Sequence, residues 1–224
     1  MEISIIICVY NAQKTIKRAI DSVLSQNFPQ KDFEVIVVND GSIDNTLKIL
    51  KTYREKIKII DQKNQGAVKA TNKGFKKALG RYVIKLDADD YFETNILEEM
   101  AKMLKENPEI DFVYADYYEK AETGEIKIVS TKNIFHTIAC GVMYKRSKLS
   151  EEGFYKESVK LPEYDLLLKI YTKWQGYHVS KPLYYYIRRK ESLSGEKKWI
   201  REAIDELKKL HPKKIKEIKK IREY

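Results

Sequence analysis

The sequence predicts an α/β protein with a mostly parallel central sheet flanked by helices. The first observation is that, before residue 110, short runs of β-branched and aromatic residues alternate with segments whose apolar residues recur at helical spacing. The second is composition, because 43% hydrophobic and 34% charged residues in a chain of 224 are typical of a globular domain. The third is that the alternation stops after residue 110, which predicts a mixed second half.

Four strands and four helices are predicted before residue 110. Each strand is a run rich in Val, Ile, Phe or Tyr, and each helix carries apolar residues on one face. Strands joined by helices pair in parallel through right-handed crossovers, so their carboxyl ends lie at one edge of the sheet, where such sheets bind ligands. The predicted strands are Ile3–Val9, Phe33–Val38, Ile57–Ile60 and Tyr82–Leu86, and the predicted helices are Thr15–Gln26, Asp44–Tyr53, Ala67–Ala78 and Asn95–Asn107.

The second half predicts shorter and less regular elements. We expect one domain over residues 1–195, made of a ligand-binding half (1–109) and a mixed half (110–195) that binds a second molecule. A basic helical tail over residues 196–224 follows. The predicted strands of the second half are Phe112–Tyr118, Ile126–Ser130, Ala139–Lys145 and Leu183–Ile187, and the predicted helix is Glu163–Trp174.

Charge and cysteine content exclude several classes of protein. Residues 197–224 carry eleven lysines and arginines against five acidic residues, so most of the net charge of +10 lies in the tail and we expect no nucleic-acid partner. Cys8 and Cys140 lie far apart and form no disulfide framework, which suits a reducing compartment. We expect no signal peptide, because the first residues lead directly into a predicted strand, and the sequence has no apolar run of the roughly 20 residues needed to span a bilayer. We therefore expect a cytoplasmic protein.

The most informative segment is the strand Tyr82–Leu86, which runs directly into Asp87-Ala88-Asp89-Asp90. Aspartates are poor strand formers, and three of them in four residues repel one another, so the strand ends here. Like charges this close raise each other's pKa values unless a cation neutralises them, and hard divalent cations prefer oxygen ligands. The segment therefore predicts a Mg²⁺ or Mn²⁺ site that carries a phosphorylated substrate. A solvated acidic turn that caps the next helix is the alternative.

Two more loops follow strands on the same predicted edge. Tyr10 and Asn11 offer a ring that can stack and an amide that can form hydrogen bonds. Asp40 offers a carboxylate that can accept hydrogen bonds from a base or a ribose, and Gly41 permits a tight turn close to a ligand. Each loop taken alone is better explained as an ordinary turn. Their convergence on one edge favours a binding site.

Taken together, these segments resemble the family 2 glycosyltransferases of GT-A fold. The resemblance covers about residues 1–195 and depends on the order and spacing of the whole set. It implies an inverting transferase that moves a sugar from a nucleotide diphosphate sugar, usually a UDP-sugar, to an acceptor hydroxyl. Residues 1–109 would be the nucleotide-sugar-binding half and residues 110–195 the acceptor half. The segments that carry the resemblance are Cys8–Asn11, Asn39–Ser42, Asn64–Gly66, Asn72–Gly74, Asp87–Asp90, Cys140–Arg146, Glu163–Leu166 and Tyr186–Arg189.

The resemblance implies roles for the donor-side residues. Tyr10 and Asp40 would hold the nucleotide base, usually uracil, with backbone contacts from Val9. Asp87 would lie near the ribose, and Asp89 would bind the Mn²⁺ or Mg²⁺ that bridges the diphosphate. A cation at this position stabilises charge on the departing diphosphate, as Lewis acids do in phosphate chemistry generally.

By the same resemblance, the general base is Glu163. The family carries an acidic pair before an aromatic-Asp-Leu run, and the second acid of the pair is the base. Here Pro162 stands in place of the first acid, and Asp165 is the alternative base. An ordinary helix start explains the same residues, because proline is favoured at the first helical position and acids in the first turn. The missing first acid keeps open a non-catalytic module that binds nucleotide-sugars or membranes.

A second departure from the family pattern lies in the third loop. Many relatives carry Arg immediately before the Asn, but this chain has Thr71-Asn72. Asn72 would supply the contact with the nucleotide that is expected of this loop. A cationic contact would come from Lys69 or Lys73, or would be missing. Uridine and guanosine donors are therefore hard to separate by sequence.

A basic segment near the end of the domain completes the expected donor site. Arg188 and Arg189, with Ser192 and Ser194, would form a mobile flap that closes over the diphosphate, and a basic surface loop is the simpler alternative. The Gln-x-x-Arg-Trp signature of processive polysaccharide synthases is absent, so we expect a single sugar transfer per encounter. A sugar-1-phosphate nucleotidyltransferase is a further alternative, but residues 10–13 lack the Gly-rich basic loop that it would need.

The tail carries an apolar stripe among many lysines. Residues 198–210 predict a helix that packs this stripe on the domain. For residues 213–224, the excess of positive charge predicts a helix on an anionic membrane surface, at the cytoplasmic face of the membrane. Such a helix would suit a lipid-linked acceptor, and a glycan is the other acceptor that we expect.

Overall fold

The computed structural model describes residues 1–137, 139–189 and 197–218. The four strands predicted for the first half are present and pair in parallel, with β1 at the centre beside β2 and β4, and β3 on the far side of β2. Both faces of β1, β2 and β4 are covered, which explains their nearly continuous apolar sequence, whereas β3 lies at the edge of the sheet and is only partly buried. The strands are β1 (Ile3–Val9), β2 (Phe33–Asp40), β3 (Lys58–Gln62) and β4 (Tyr82–Asp87).

The helices of the first half divide between the two faces of the sheet. On one face, Ile3, Ile5 and Ile7 of β1 pack in a core with α1 and α4, whereas Ile6 points to the opposite face and packs with α3. The alternation follows from the two-residue period of a strand. The four predicted helices are confirmed with slightly shorter bounds, as α1 (Ile16–Leu24), α2 (Thr46–Lys51), α3 (Ala67–Lys77) and α4 (Ile96–Glu106).

The second half extends the same sheet with strands of both directions. Antiparallel β8 continues the sheet from β4, and β6, β9 and β5 follow, while β7 pairs with β6. Within the described residues the sheet therefore has nine strands. The first half adds one short strand, β5 (Tyr91–Phe92). The elements of the second half are β6 (Phe112–Ala121), β7 (Ile126–Val129), β8 (Val142–Lys145), β9 (Gly176–Arg188), α5 (Arg146–Glu151) and α6 (Pro162–Ile170).

Several predicted bounds in the second half are wrong. The strand predicted from Ala139 begins only at Val142, because residues 139–141 form a 3-10 turn. The predicted strand Leu183–Ile187 is the end of the much longer β9, whose polar first part pairs with β6 across two register shifts. The predicted helix Glu163–Trp174 ends at Ile170, and neither β5 nor α5 was predicted.

The described part of the tail folds back on the domain. It contains α7 (Lys197–Leu210) and α8 (Ile215–Ile218), and α7 buries Ile200, Ala203 and Leu207. Leu207 packs in the same core cluster as the apolar side chains of α6. The predicted membrane helix extends into residues 219–224, which lie outside the described residues, so it stays a prediction. None of the helices in the described ranges has the length and apolar character needed to cross a membrane.

Candidate functional site

Polar loops meet at the carboxyl edge of the parallel strands. The register of β1 with β4 sets Cys8 beside Asp87, and the register of β1 with β2 sets Val9 beside Asn39. Two cavities of about 190 and 170 Å³ lie over this edge, and they adjoin because Cys8 and Ala67 line both. The parallel topology thus creates one cleft with two compartments, which we call the first and the second cavity.

The first cavity collects residues expected to bind a nucleotide base. Val9, Tyr10 and Asp40 line it together with Asn64 and Gly66. Val9 is buried at the end of β1, whereas Tyr10 is 50% exposed, so its ring is available for stacking. The structure therefore brings these three predicted residues to one place.

The loop after β3 holds Asp40 in the wall of the first cavity. Asp40 Oδ1 accepts hydrogen bonds from Gln62 Nε2 (2.7 Å) and from the backbone N–H of Gln65 (2.9 Å), and Oδ2 accepts one from the N–H of Gly66 (2.8 Å). Gly66 has φ +91°, a conformation that glycine adopts without strain. Because a carboxylate oxygen can accept two hydrogen bonds, Oδ2 retains capacity for a ligand donor.

Asn11 and Gly41 shape the rim and do not line the first cavity. Asn11 Oδ1 accepts a hydrogen bond from the N–H of Ile43 (2.9 Å), and the N–H of Asn11 donates to Ser42 Oγ (3.0 Å). At Gly41, with φ +74°, a Cβ would lie 2.7 Å from the backbone nitrogen of Asn64. These two predicted donor residues therefore fix the loops around the cavity.

The second cavity brings together charged groups from both halves of the chain. Asp87 at the end of β4 and Glu163 at the start of α6 line it, with Tyr155 between them in sequence. Lys85 Nζ lies 2.6 Å from Asp87 Oδ1 and 3.6 Å from Glu163 Oε1. Burial lowers the pKa of Lys85, but the two carboxylates outweigh it and raise that pKa well above its ordinary value. Lys85 is therefore a fixed positive charge in the cleft.

Asp87 also belongs to a group of potential metal ligands. Cys140 Sγ lies 3.2 Å from Asp87 Oδ2 and 3.6 Å from Asp90 Oδ2, and the three ligand atoms lie within 4.8 Å of one another. Burial, and then the charges of Asp87 and Asp89, raise the pKa of Asp90 well above its ordinary value. A divalent cation would relieve this crowding, and carboxylate oxygens are ligands that Mg²⁺ and Mn²⁺ accept. The residues therefore fit a divalent cation.

Asp89, the predicted metal ligand, lies beside the predicted flap. Its Oδ2 is 3.2 Å from an Arg189 guanidinium nitrogen, and its backbone carbonyl accepts a hydrogen bond from Arg18 (2.7 Å). Burial, and then the charge of Asp87, raise the pKa of Asp89, while Arg189 opposes this shift. Ala88 is buried against the core and separates the two aspartates. The structure thus joins Asp89 to an arginine and gathers Asp87 and Asp90 around Cys140.

The two flap arginines have different partners. Arg188 lies 3.1 Å from Glu119 on β6, whereas Arg189 contacts the acidic loop. The end of β9 is tied to the same loop, because the N–H of Ile187 donates to Asp90 Oδ1 (2.8 Å). The predicted flap residues Ser192 and Ser194 lie outside the described residues.

The side chain of Asn72 forms hydrogen bonds within the protein. Its Nδ2 donates to the carbonyl of Tyr155 (2.8 Å), and its Oδ1 accepts from the N–H of Tyr155 (3.0 Å). Asn72 is buried and joins α3 to the segment before α6, so its contact with the nucleotide stays a prediction. Lys69 is exposed on α3 and lines neither cavity, whereas Thr71 lines the second.

The structure does not favour Asp165 as a base. Asp165 is buried under the tail, where its carboxylate lies 2.8 Å from His211 Nε2 and 2.8 Å from Lys169 Nζ. It lines neither cavity, because a helical residue two positions after Glu163 points to a different side of α6. Glu163 is therefore the one of the two candidate bases that reaches the cleft.

The sequence did not indicate Lys85 or Cys140 as members of this site. Lys85 carried a weak signal, since a lysine inside an otherwise apolar strand requires a buried partner. It shares a strand face with Asp87 two residues later. Cys140 belongs to a segment that carries the family resemblance, but its approach to the acidic loop depends on the pairing of β8 with β4, which the sequence did not indicate.

A family comparison agrees with this geometry. The model of the family "Glycosyl transferase family 2" matches residues 4–163, most of the chain and both sides of the cleft. Glycosyltransferase GlyA of Streptococcus pneumoniae is 28% identical over 91% of this chain and 33% of its own length. Poly(ribitol-phosphate) β-N-acetylglucosaminyltransferase TarS of Staphylococcus aureus is 28% identical over 85% of this chain and 36% of its own length. The chain thus spans about a third of the length of these relatives.

Solved structures share the fold. S. aureus TarS residues 1–349 in complex with UDP superposes with a TM-score of 0.75 and 25% identity, covering 92% of this chain and 65% of that one. The mannosyltransferase PcManGT of Pyrobaculum calidifontis, in complex with GDP-Man and Mn²⁺, superposes with a TM-score of 0.78 at 16% identity, covering 95% of this chain and 64% of that one, which supports the fold alone. From the family match, the cleft and the shared architecture, the chain belongs to glycosyl transferase family 2 and has the GT-A fold.

Proposed function

We propose that this chain is the donor-binding and catalytic part of an inverting glycosyltransferase that uses a UDP-sugar. The observation that carries the proposal is the pair of adjoining cavities, one lined by Tyr10 and Asp40 and the other by Asp87 and Glu163. A nucleotide-sugar that spans both would have its base in the first cavity and its sugar in the second. The reacting carbon would then lie near a carboxylate from the opposite half of the chain.

Uridine is the proposed base because TarS, which has the higher sequence identity of the two solved structures described above, was solved with UDP and also with UDP-GlcNAc. The first cavity adds a physical reason. Tyr10 offers a ring face, and Asp40 Oδ2 can accept a hydrogen bond from an N–H of the base.

In the proposed reaction, Glu163 is the general base. The acceptor hydroxyl gives its proton to a carboxylate oxygen of Glu163, and its oxygen forms a bond to the anomeric carbon. The bond between that carbon and the diphosphate oxygen breaks, and its electron pair leaves with UDP. Attack from the side opposite the leaving group inverts the anomeric centre.

The acidic loop would hold the cation that this chemistry uses. Asp89 is the proposed metal ligand, with Asp87 and Asp90 close enough to contribute. A bound Mn²⁺ or Mg²⁺ supplies positive charge beside the departing diphosphate. Arg188 and Arg189 are proposed to add further positive charge from the end of β9.

We propose a hydroxyl of a glycan or of a lipid-linked carrier as the acceptor. The name of TarS describes transfer to a poly(ribitol-phosphate), which supports a polymer acceptor for a relative of this kind. Lys213 and Lys216 are exposed at the end of the described tail, which supports contact with an anionic membrane at the cytoplasmic face. Flotation with anionic liposomes, with and without residues 213–224, tests this contact, and equal flotation of the two proteins would contradict it.

Calorimetric titration of the chain with UDP and with GDP, each with Mn²⁺, tests the donor proposal. We expect UDP to bind more tightly than GDP, and Tyr10→Ala to weaken UDP binding because a stacking partner is lost. Release of UDP from UDP-GlcNAc and other UDP-sugars, with water as the acceptor, tests the enzymatic proposal. Binding of UDP without release from any donor would favour the non-catalytic module. Tighter binding of GDP would contradict the uridine assignment.

A further inference from the structure

We infer that Lys85 is a positioning residue for sugar transfer, whose ammonium group holds the donor-side carboxylate of Asp87 and the acceptor-side carboxylate of Glu163 together across the second cavity. The inference rests on the proposed function and deepens it. It assigns a role to a residue that belongs to none of the segments that carry the family resemblance.

The position of Lys85 is unusual for a lysine. It lies inside β4, where Ile84 and Leu86 pack in the core on one face of the sheet and Val83 packs in the core on the other. Only 10% of the Lys85 side chain is exposed. A lysine this deeply buried is tolerated only with acidic partners, so its contacts define its role.

The two acidic partners of Lys85 come from different halves of the chain. Asp87 lies two residues along the same strand, and its Oδ1 is 2.6 Å from Lys85 Nζ. Glu163 comes from the start of α6, in the other half of the chain, and its Oε1 is 3.6 Å from the same ammonium group. Lys85 therefore connects the two walls of the second cavity.

The surroundings of Glu163 make this connection important. Its side chain is 27% exposed, so without an attractive partner it can turn toward solvent. Tyr155 lines the same cavity and is buried, and burial and then the charge of Glu163 raise its pKa well above the ordinary value. Asp87 would repel Glu163 if the ammonium group were absent. Lys85 thus keeps the proposed base pointing into the cavity.

The test is a double-mutant cycle with Lys85→Met and Glu163→Gln. Methionine keeps the length of the side chain and removes the charge, and Lys85→Arg retains the charge. Lys145→Met is the matched control, because Lys145 is a partly exposed lysine on β8 with an acidic neighbour, Asp111, at 3.9 Å and lies outside the cleft. The rate of UDP release from UDP-GlcNAc with Mn²⁺ is measured, together with UDP affinity by calorimetry.

We expect Lys85→Met to lower the rate of UDP release by about 10- to 100-fold, as misplacement of a catalytic group does, and to lower UDP affinity by a much smaller factor, because the backbone of β4 still places Asp87 in the cleft. In the Glu163→Gln background the same substitution lowers the rate far less, because the base that it positions is gone. Lys85→Arg retains part of the rate, and Lys145→Met retains all of it. An equal loss in rate and in UDP affinity, or the same fold-loss in both backgrounds, would overturn the inference.

The same cycle can be measured by stability, so that the contact between Lys85 and Glu163 is tested independently of enzymatic activity. The melting temperatures of the wild-type chain, Lys85→Met, Glu163→Gln and the double variant report whether Lys85 couples Glu163 to the rest of the site. We expect the melting temperature of the double variant to fall by less than the sum of the decreases in the two single variants. The reason is that Glu163→Gln removes the repulsion from Asp87 that Lys85→Met would otherwise expose. Additive losses would overturn the connection. An inactive wild-type chain with coupled melting would refute the proposed function and leave the connection standing.

Discussion

The two ends of the parallel strands differ in how fully their carboxylates are paired with hydrogen-bond donors and positive charges. At the amino end, Glu34 of β2 accepts hydrogen bonds from Ser4 Oγ (2.6 Å), from the N–H of Leu79 (2.7 Å) and from Lys58 Nζ (2.6 Å). Burial raises the pKa of Glu34, but these donors outweigh it and lower the pKa below its ordinary value of 4.5. One carboxylate here has a full set of partners.

At the carboxyl end, several carboxylates compete for few partners. Asp87 and Glu163 share one buried ammonium group, that of Lys85, while Asp90 lies close to Asp87 and Cys140, and Asp89 belongs to the same loop. The pKa of Asp90 is raised by burial and by its acidic neighbours. The amino end is therefore arranged for stability. The carboxyl end retains an excess of negative charge that a cation or a substrate can neutralise, as is typical of functional sites.

The largest expected contrast is in catalysis. Glu163→Gln should lower the rate of UDP release by about 10²–10⁴-fold, because general-base assistance is lost, while UDP still binds. Glu34→Gln is the matched control at the amino end and should leave the rate unchanged. The measurement is UDP release from a UDP-sugar with Mn²⁺. A near-normal rate for Glu163→Gln would mean that the base is a different residue.

The second contrast is in stability. Glu34→Gln should lower the free energy of unfolding by about 1–3 kcal/mol, because hydrogen bonds to a charged group are lost and Lys58 loses its partner. Urea unfolding measures the change, and UDP binding should not change because Glu34 lies at the opposite end of the strands. A loss of stability too small to measure would show that the amino end is not the stabilising one.

At the carboxyl end, we expect removal of a carboxylate to increase the free energy of unfolding. Asp90→Asn should raise the free energy of unfolding at pH 7 without metal by about 1 kcal/mol, because it removes a carboxylate whose ionised form is disfavoured in the fold. Asparagine can still accept the hydrogen bond from Ile187. The same variant should weaken Mn²⁺-dependent UDP binding, measured by calorimetry. If Asp90→Asn lowered stability and left Mn²⁺-dependent UDP binding unchanged, the carboxyl end would be a stabilising region like the amino end.

The smallest expected effect is in the acid range. Because the pKa of Glu34 is lowered in the fold, its contribution to stability is present above about pH 4.5 and is lost as the pH falls through the lower folded value. Urea unfolding at a series of pH values should show this loss, and Glu34→Gln should make the decline shallower. A decline of equal steepness in both proteins would assign it to other carboxylates.

The first half of the fold could be predicted because its information is local. The strands β1, β2 and β4 are buried on both faces, so each is a nearly continuous apolar run that sequence alone identifies. The polar first part of β9 has no such signal, since it is a strand only because it pairs with β6. The same reason explains β5, which has two residues and depends on β9.

The candidate site also has features that the sequence predicts and features that depend on tertiary packing. The sequence by itself determined that Tyr10, Asp40 and Asp87 lie at one edge, because each follows a parallel strand and the carboxyl ends of such strands adjoin. It also determined that an acidic loop begins where β4 ends, because three aspartates cannot continue a strand.

Only the tertiary structure decided which side chains meet. Lys85 connects Asp87 with Glu163. The side chain of Asn72 forms a hydrogen bond with the backbone of Tyr155, and Asp165 is buried under the tail. These contacts join residues that are far apart in the chain or that differ only in the side of a helix they occupy. The spacing of residues fixes direction along a strand or helix, but the distance between two such elements depends on how they pack.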